Sequence, residues 1–327
     1  MNYENCSNHC KFTRQKTIDK KINYLLEIIL NQKVDSPNKY KTMKKLIYTA
    51  LFATSSLLSQ AQGSSEFGFN FGFSSYLGDL VPQAYTIKDP GLAMGIQAKH
   101  NMTPHITMRA FMNVMRISGS DANSGRQSMI NRNLSFRSNV LEYGGALEIN
   151  VLPFDRFNPN RDKDKRYFSF TPYFYGGVNV FHFNPKTYFN GRWVSLQHLG
   201  TEGQGTSLNN ENAYNLTQIA IPFGLGWKFQ PNPRIVLSYE FGLRKTFTDY
   251  LDDVSGNYVD LAKLSQEKGY TASALSYRGD ELSNHDGTYP AAGMMRGQSA
   301  NKDWYTVNTF SVCFKLYKSV SKYNPMD

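Results

Sequence analysis

Three features of this 327-residue chain have residue types and spacings that could do chemistry: scattered histidines, a run of aspartates and a glycine-rich turn. Histidine is the commonest general base near neutral pH. His100, His105, His182, His198 and His285 have no His-x-Glu, His-Glu-x-x-His or Gly-x-Ser-x-Gly companion, so only a triad assembled in space would make any of them catalytic. Asp249, Asp252 and Asp253 lie within five residues, and carboxylates that close suit a hard cation such as calcium. The segment lacks the ligand spacing and glycine of a calcium loop, which leaves turn and cap chemistry as the other reading. Thr201, Glu202, Gly203, Gln204 and Gly205 follow no strand-to-helix pattern, so they read as a turn rather than a phosphate cradle. Cys6 and Cys10, with only His9 beside them, make a weak zinc site and lie in the N-terminal leader, beyond which Cys313 is a lone cysteine, so no internal disulfide is expected. The expectation is a non-enzymatic protein without a cofactor.

The elements that would position these residues alternate with a period of two. From Glu66 to Ser74, Phe67, Phe69, Phe71 and Phe73 share one face, while Gly68, Asn70, Gly72 and Ser74 share the other. Seven similar segments follow, at 92–100, 105–116, 139–151, 168–181, 218–229, 234–247 and 305–316. These eight segments of nine to fourteen residues are about twice the length of a typical soluble strand and long enough to cross a bilayer at a tilt. No apolar run reaches the ~18 residues that a spanning helix needs. The connections alternate too. Those at 101–104 and 230–233 are tight turns and 153–166 is longer and charged, whereas 77–91, 118–135, 182–217 and 248–304 are long. The expected fold is therefore all-β: an eight-stranded antiparallel transmembrane β-barrel with long extracellular loops and short periplasmic turns. The alternative is a soluble sandwich or lipocalin-like barrel with its apolar face inward.

Met43-Lys44-Lys45, the apolar stretch Leu46–Leu58 and the Ser59-Gln60-Ala61 site have the order of a secretory signal, giving a signal peptide over 43–61 and a barrel domain over 62–327. Residues 1–42 are expected to be an upstream extension in front of the true start at Met43. Of the net charge of +10, residues 1–61 contribute +6, so the basic excess lies mainly in the leader and a nucleic-acid partner is not expected. A barrel of eight strands is just wide enough for side chains to fill. The alternation turns Lys99, Arg109, Glu142, Glu148, Glu240 and Arg244 inward. Buried charges need partners, so pairs such as Arg109 with Glu142, and Glu240 with Arg244 or Lys99, are expected to make a plug, not a channel.

Tyr76-Leu-Gly-Asp-Leu80, Asn133-Leu-Ser-Phe-Arg137, Thr171-Pro-Tyr-Phe174, Leu199-Gly-Thr-Glu-Gly-Gln-Gly205, Ile221-Pro-Phe-Gly224, Arg244-Lys-Thr-Phe-Thr-Asp-Tyr-Leu-Asp-Asp-Val-Ser255 and Arg296-Gly297 occur in this order. Over Glu66–Leu316 the chain resembles the PorG-type outer-membrane barrel subunit of the type IX protein secretion system of Bacteroidota. The resemblance implies an integral outer-membrane barrel without enzymatic activity. Its partners would be outer-membrane lipid and the periplasmic ring of the secretion and gliding machinery, a lipoprotein with its own partner. Thr201–Gly205, with Thr248, Asp249, Tyr250, Asp252 and Asp253, would hold the long loops in shape. Asp155, Arg156, Arg161, Asp162, Lys163, Asp164, Lys165 and Arg166 form the expected contact with the ring. A small outer-membrane lipid hydrolase and a passive anchoring barrel of the OmpA/OmpW kind are the competing expectations.

Overall fold

The computed structural model describes residues 64–81, 90–154 and 169–316. The expected extension at 1–42, the signal segment at 43–61 and the charged residues 155–166 lie outside them. The strands in chain order are β1 (Ser65–Leu77), β2 (Gly91–Asn101), β3 (Ile106–Ser120), β4 (Ser135–Asn150), β5 (Ser169–His182), β6 (Pro185–Phe189), β7 (Arg192–Ser195), β8 (Thr217–Asn232), β9 (Ile235–Thr246) and β10 (Trp304–Leu316). Eight of them, all but β6 and β7, form a closed antiparallel ring. β1 closes the ring on β10, from Ser65 opposite Leu316 to Leu77 opposite Trp304. The tight turns are fixed by short polar side chains. Thr103 Oγ1 accepts from the backbone N–H of Ile106 at 3.0 Å, and Asn232 Oδ1 accepts from those of Arg234 and Ile235 at 2.9 Å.

The alternation sorts side chains as a lipid solvent requires. Phe69, Phe71 and Phe73 are 54–58% exposed, and Met94, Val114, Leu147, Phe174 and Phe310 continue the same outward belt on other strands. A soluble sandwich or inward-facing barrel would have buried these rings. Left in water, so large a continuous apolar surface would drive aggregation, and on a closed barrel it is the surface that meets acyl chains. The chain is thus an integral outer-membrane barrel. Small residues inside make room for large ones: a Cβ at Gly242 would lie 2.0 Å from Tyr175 Oη and 2.1 Å from Arg244 Nη1.

The long loops are folded. They carry α1 (Gln127–Arg132), α2 (Leu261–Lys268) and α3 (Tyr270–Ser276), with Asp260 capping α2 by accepting from Lys263 N at 3.1 Å. The main apolar core lies at this outer end, where Leu80, Leu134, Leu251, Val254, Leu264 and Leu275 join Ile117, Phe181 and Tyr305 of the upper barrel. The hairpin β6–β7 is an addition to the expected strands. It extends β4 through Arg137 opposite Lys186 and turns at Asn190-Gly191, whose φ angles are 47° and 80°. Asn-Gly at that position is the signature of a two-residue hairpin turn.

Candidate functional site

Two buried polar assemblies stand out, one across the lumen and one among the outer loops. In the lumen, strand register decides the partners. Thr107 is opposite Glu148 and Arg109 is opposite Ala146, so Glu148 reaches Arg109 on the diagonal at 3.3 Å. Glu148 also pairs with Lys99 at 3.0 Å and Lys228 at 2.5 Å. Arg109 bridges on to Glu240 and lies 4.4 Å from the centre of the Tyr175 ring. Glu142, six residues along β4 from Glu148, is level with Asn113 instead. It accepts from Asn113 at 2.6 Å, from Asn179 and Tyr305 at 2.8 Å, and from Arg244 at 3.2 Å.

All six inward charges are therefore buried and paired, but the partners differ from those the sequence offered. Arg109 takes Glu148 and Glu240 in place of Glu142, and Arg244 takes Glu142 in place of Glu240. Lys228 and Glu66 belong to the same interior and were legible from the same alternation; Glu66 accepts from Asn101 Nδ2 at 2.7 Å. At the periplasmic mouth Phe154, 1% exposed, packs on Val236 and Cys313 with the Lys228 and Lys315 ammonium groups 5.5 and 5.4 Å from its ring centre.

The outer assembly is built from the loop motifs. Gly200, Gly203 and Gly205 adopt φ of +61°, +81° and +70°, which glycine accepts without strain and which folds this turn back on itself. The turn places Glu202 where its carboxylate accepts from Ser255 N at 2.9 Å, Gly256 N at 3.0 Å and Arg296 Nη1 at 2.8 Å. Arg296 also donates to the Asp253 carbonyl at 2.6 Å and the Ser276 carbonyl at 3.1 Å, and its own carbonyl accepts from Arg132. Arg132 in turn grips both oxygens of Asp121, at 2.7 and 2.8 Å. Asp253 accepts from Thr201 at 2.6 Å and Tyr214 at 2.7 Å. One arginine thus ties the 201–205 turn to the loop between β9 and β10, and a second ties both to the loop between β3 and β4.

Asp252 and Asp303 share one phenol. The Tyr76 hydroxyl lies 2.6 Å from Asp252 Oδ2 and 2.8 Å from Asp303 Oδ1. A single phenolic proton serves one of these bonds, so the other requires a protonated carboxyl. Burial first, then the Asp79 charge, pushes Asp252 well above the usual carboxylate range; burial and Asp252 do the same to Asp303. Burial also pushes Asp253 up to about 6, against the pull of Arg296, and Asp249 up to about 7.

Two aspartates of the 249–253 run have separate commitments, Asp252 to Tyr76 and Val254 N and Asp253 to Thr201 and Tyr214, while both buried carboxylate oxygens of Asp249 lack a hydrogen-bond partner among the described residues. Among the described residues no three His, Cys, Asp or Glu side chains are grouped to hold a metal. The histidines are dispersed. His100 contacts Ser65 Oγ at 3.0 Å, His105 the Asn150 carbonyl and His182 Thr217, while His198 is exposed and His285 lies beside Tyr277 and Tyr289. No carboxylate is hydrogen-bonded to any of these rings among the described residues.

A family model described as a domain of unknown function, DUF6089, matches residues 44–268. No curated protein matches the chain. Among solved structures, Ail, the attachment invasion locus protein of Yersinia pestis, aligns at 8% identity over 78% of this chain and 99% of that chain, with a TM-score of 0.35. Neisserial surface protein A aligns at 8% identity over 77% of this chain and 97% of that chain, with a TM-score of 0.35. The N-terminal β-barrel domain of Pseudomonas aeruginosa OprF aligns at 8% identity over 78% of this chain and 100% of that chain, with a TM-score of 0.29.

Proposed function

The chain belongs to the DUF6089 family, a domain of unknown function, and on that premise we propose that it is a non-enzymatic outer-membrane component of the type IX secretion and gliding machinery, docked by its periplasmic rim on the ring lipoprotein and its partner. One observation carries the proposal. Five of the residues in the motifs through which the sequence resembles PorG-type barrels, Tyr76, Glu202, Asp252, Asp253 and Arg296, lock the outer loops into a single buried clasp. Motif residues placed this way preserve a shape, which is what a scaffold subunit needs. The cross-braced lumen supports the same reading, since Glu148 alone gathers three cations across its width.

A filled lumen suits a passive anchoring barrel equally well, and the partner separates the two readings. The test places photoreactive residues one at a time across 155–166 and crosslinks in living cells. The expected product is an adduct with the ring lipoprotein or its partner. A protein that purifies alone from every such position after gentle crosslinking would overturn the secretion role and leave passive anchoring. A lipid hydrolase would instead show as an altered lipid A profile on deletion, and an unchanged profile is expected.

A further inference from the structure

The outward wall changes character just beyond the apolar belt. On β3 the outward series Met108, Ala110, Met112 and Val114 continues into Arg116. On β4 the outward residues Tyr143 and Leu141 continue into Asn139 and Arg137, while Ser138 and Val140 between them are buried inside. Pairing sets these positions side by side: Arg116 opposite Asn139, Ser118 opposite Arg137, and Arg137 opposite Lys186 of β6. Three cations therefore project from one patch of wall spanning β3, β4 and β6. None of the three forms an ion pair among the described residues, although every inward charge at the centre of the barrel does.

We propose that this wall binds the phosphate-bearing headgroup of an outer-leaflet lipid, with Arg116, Arg137 and Lys186 as its anion-binding side chains. The location selects the ligand. A side chain facing out one step above Val114 and Leu141 meets lipid headgroups, whose acyl chains lie along the apolar wall below. The chemistry selects phosphate. Guanidinium groups bind phosphate oxygens in pairs and an ammonium adds a point charge. Arg137 is already oriented, stacked 3.8 Å from the centre of the Trp193 ring. Trp193 is 44% exposed and touches Tyr188 edge to face, so the hairpin supplies the aromatic pair expected at headgroup level.

The test titrates the full-length barrel in a zwitterionic detergent by native mass spectrometry with diphosphorylated lipid A, fully dephosphorylated lipid A and inorganic phosphate. The wild type is expected to hold the phosphorylated lipid. The combined variant Arg116→Gln, Arg137→Gln and Lys186→Gln should bind it about a hundredfold more weakly. Lys245→Gln, an outward cation on β9 beside Trp304, should leave binding unchanged. Dephosphorylated lipid should bind the wild type as weakly as phosphorylated lipid binds the triple variant. Equal affinity of the wild type for the two lipids overturns the proposal, and that comparison needs no variant to fold. Wild-type affinity in the triple variant overturns it as well. So does displacement of the lipid by inorganic phosphate at the lipid's own concentration, because the lipid would then contribute nothing.

Discussion

The lumen and the outer clasp are both buried and both ionic, yet they balance charge in opposite ways. In the lumen Lys99, Arg109, Lys228, Arg244 and Lys315 face Glu66, Glu142, Glu148 and Glu240, so cations and carboxylates nearly cancel. In the clasp six buried acids, Asp121, Glu202, Asp249, Asp252, Asp253 and Asp303, face two buried cations among the described residues, Arg132 and Arg296. Cancellation among fixed charges makes a brace with no need to exchange protons. A surplus of buried carboxylates can persist only where some of them stay protonated. The lumen is therefore expected to hold under any mild condition, and the clasp to respond to pH.

The strongest way to break this contrast is at the hub of the lumen. Glu148→Gln leaves the Lys99, Arg109 and Lys228 positions without their shared carboxylate. The expected loss is about 3–5 kcal/mol in urea unfolding of the vesicle-inserted barrel. A loss below about 1 kcal/mol would mean that Glu142 and Glu240 can balance the lumen without it. Arg296→Ala attacks the other region by removing bonds to Glu202, Asp253 and Ser276. It should loosen the loops by about 2–3 kcal/mol, seen as faster protease cutting within 201–215 and 249–298, while the barrel unfolds at its usual urea concentration. Equal destabilisation of barrel and loops would show that the two regions are one cooperative unit.

A third test uses pH. Asp249 and Asp253 have folded-state values above the ordinary carboxylate range, so the folded clasp favours their protonated forms. Their contribution is full below about pH 4 and is lost as pH rises through about 6 for Asp253 and about 7 for Asp249. Loop proteolysis should therefore be slower at pH 5 than at pH 8, by up to about tenfold per pH unit for each proton linked. Asp249→Asn should flatten the part of that slope near pH 7. An unaltered slope in this variant would assign the proton to the Asp252–Tyr76–Asp303 group instead. The lumen, measured by urea unfolding, should show no comparable slope.

The two regions also differ in how far the amino-acid sequence discloses them. Strand alternation and register are local and periodic, so Phe67–Phe73 outward and Glu142, Glu148 and Arg109 inward follow from a period of two. Which carboxylate meets which cation does not follow. A shift of a few residues along β4 decides whether Arg109 faces Glu142 or Glu148, and the period is blind to it. The clasp is harder still. The bond from Glu202 to Arg296 spans 94 residues, and that from Tyr76 to Asp303 spans 227. No local pattern encodes such partners; the motifs marked the right residues without their geometry. The β6–β7 hairpin is the opposite case. Asn190-Gly191 between Tyr188-Phe189 and Trp193-Val194 was a legible turn signal, hidden only because 182–217 reads as one long loop.

The smallest expected effect supplies the baseline for the comparison, a charge that belongs to neither region. Arg137 lies outside the barrel, held by the Trp193 face. Solvent and headgroups reach it, so its charge carries little desolvation penalty and its stacking is worth about 0.5–1 kcal/mol. Trp193→Ala should therefore leave barrel unfolding and clasp proteolysis unchanged, and should increase only hydrogen exchange across the short β6–β7 ladder. That ladder has four residue pairs and touches β4 through two, so a loss of this size is enough to be read there. If Trp193→Ala instead opened the clasp, the link would run through Thr187, whose hydroxyl on the inner face of the hairpin accepts from Arg278 at 2.8 Å. The hairpin would then belong to the clasp rather than to the membrane wall.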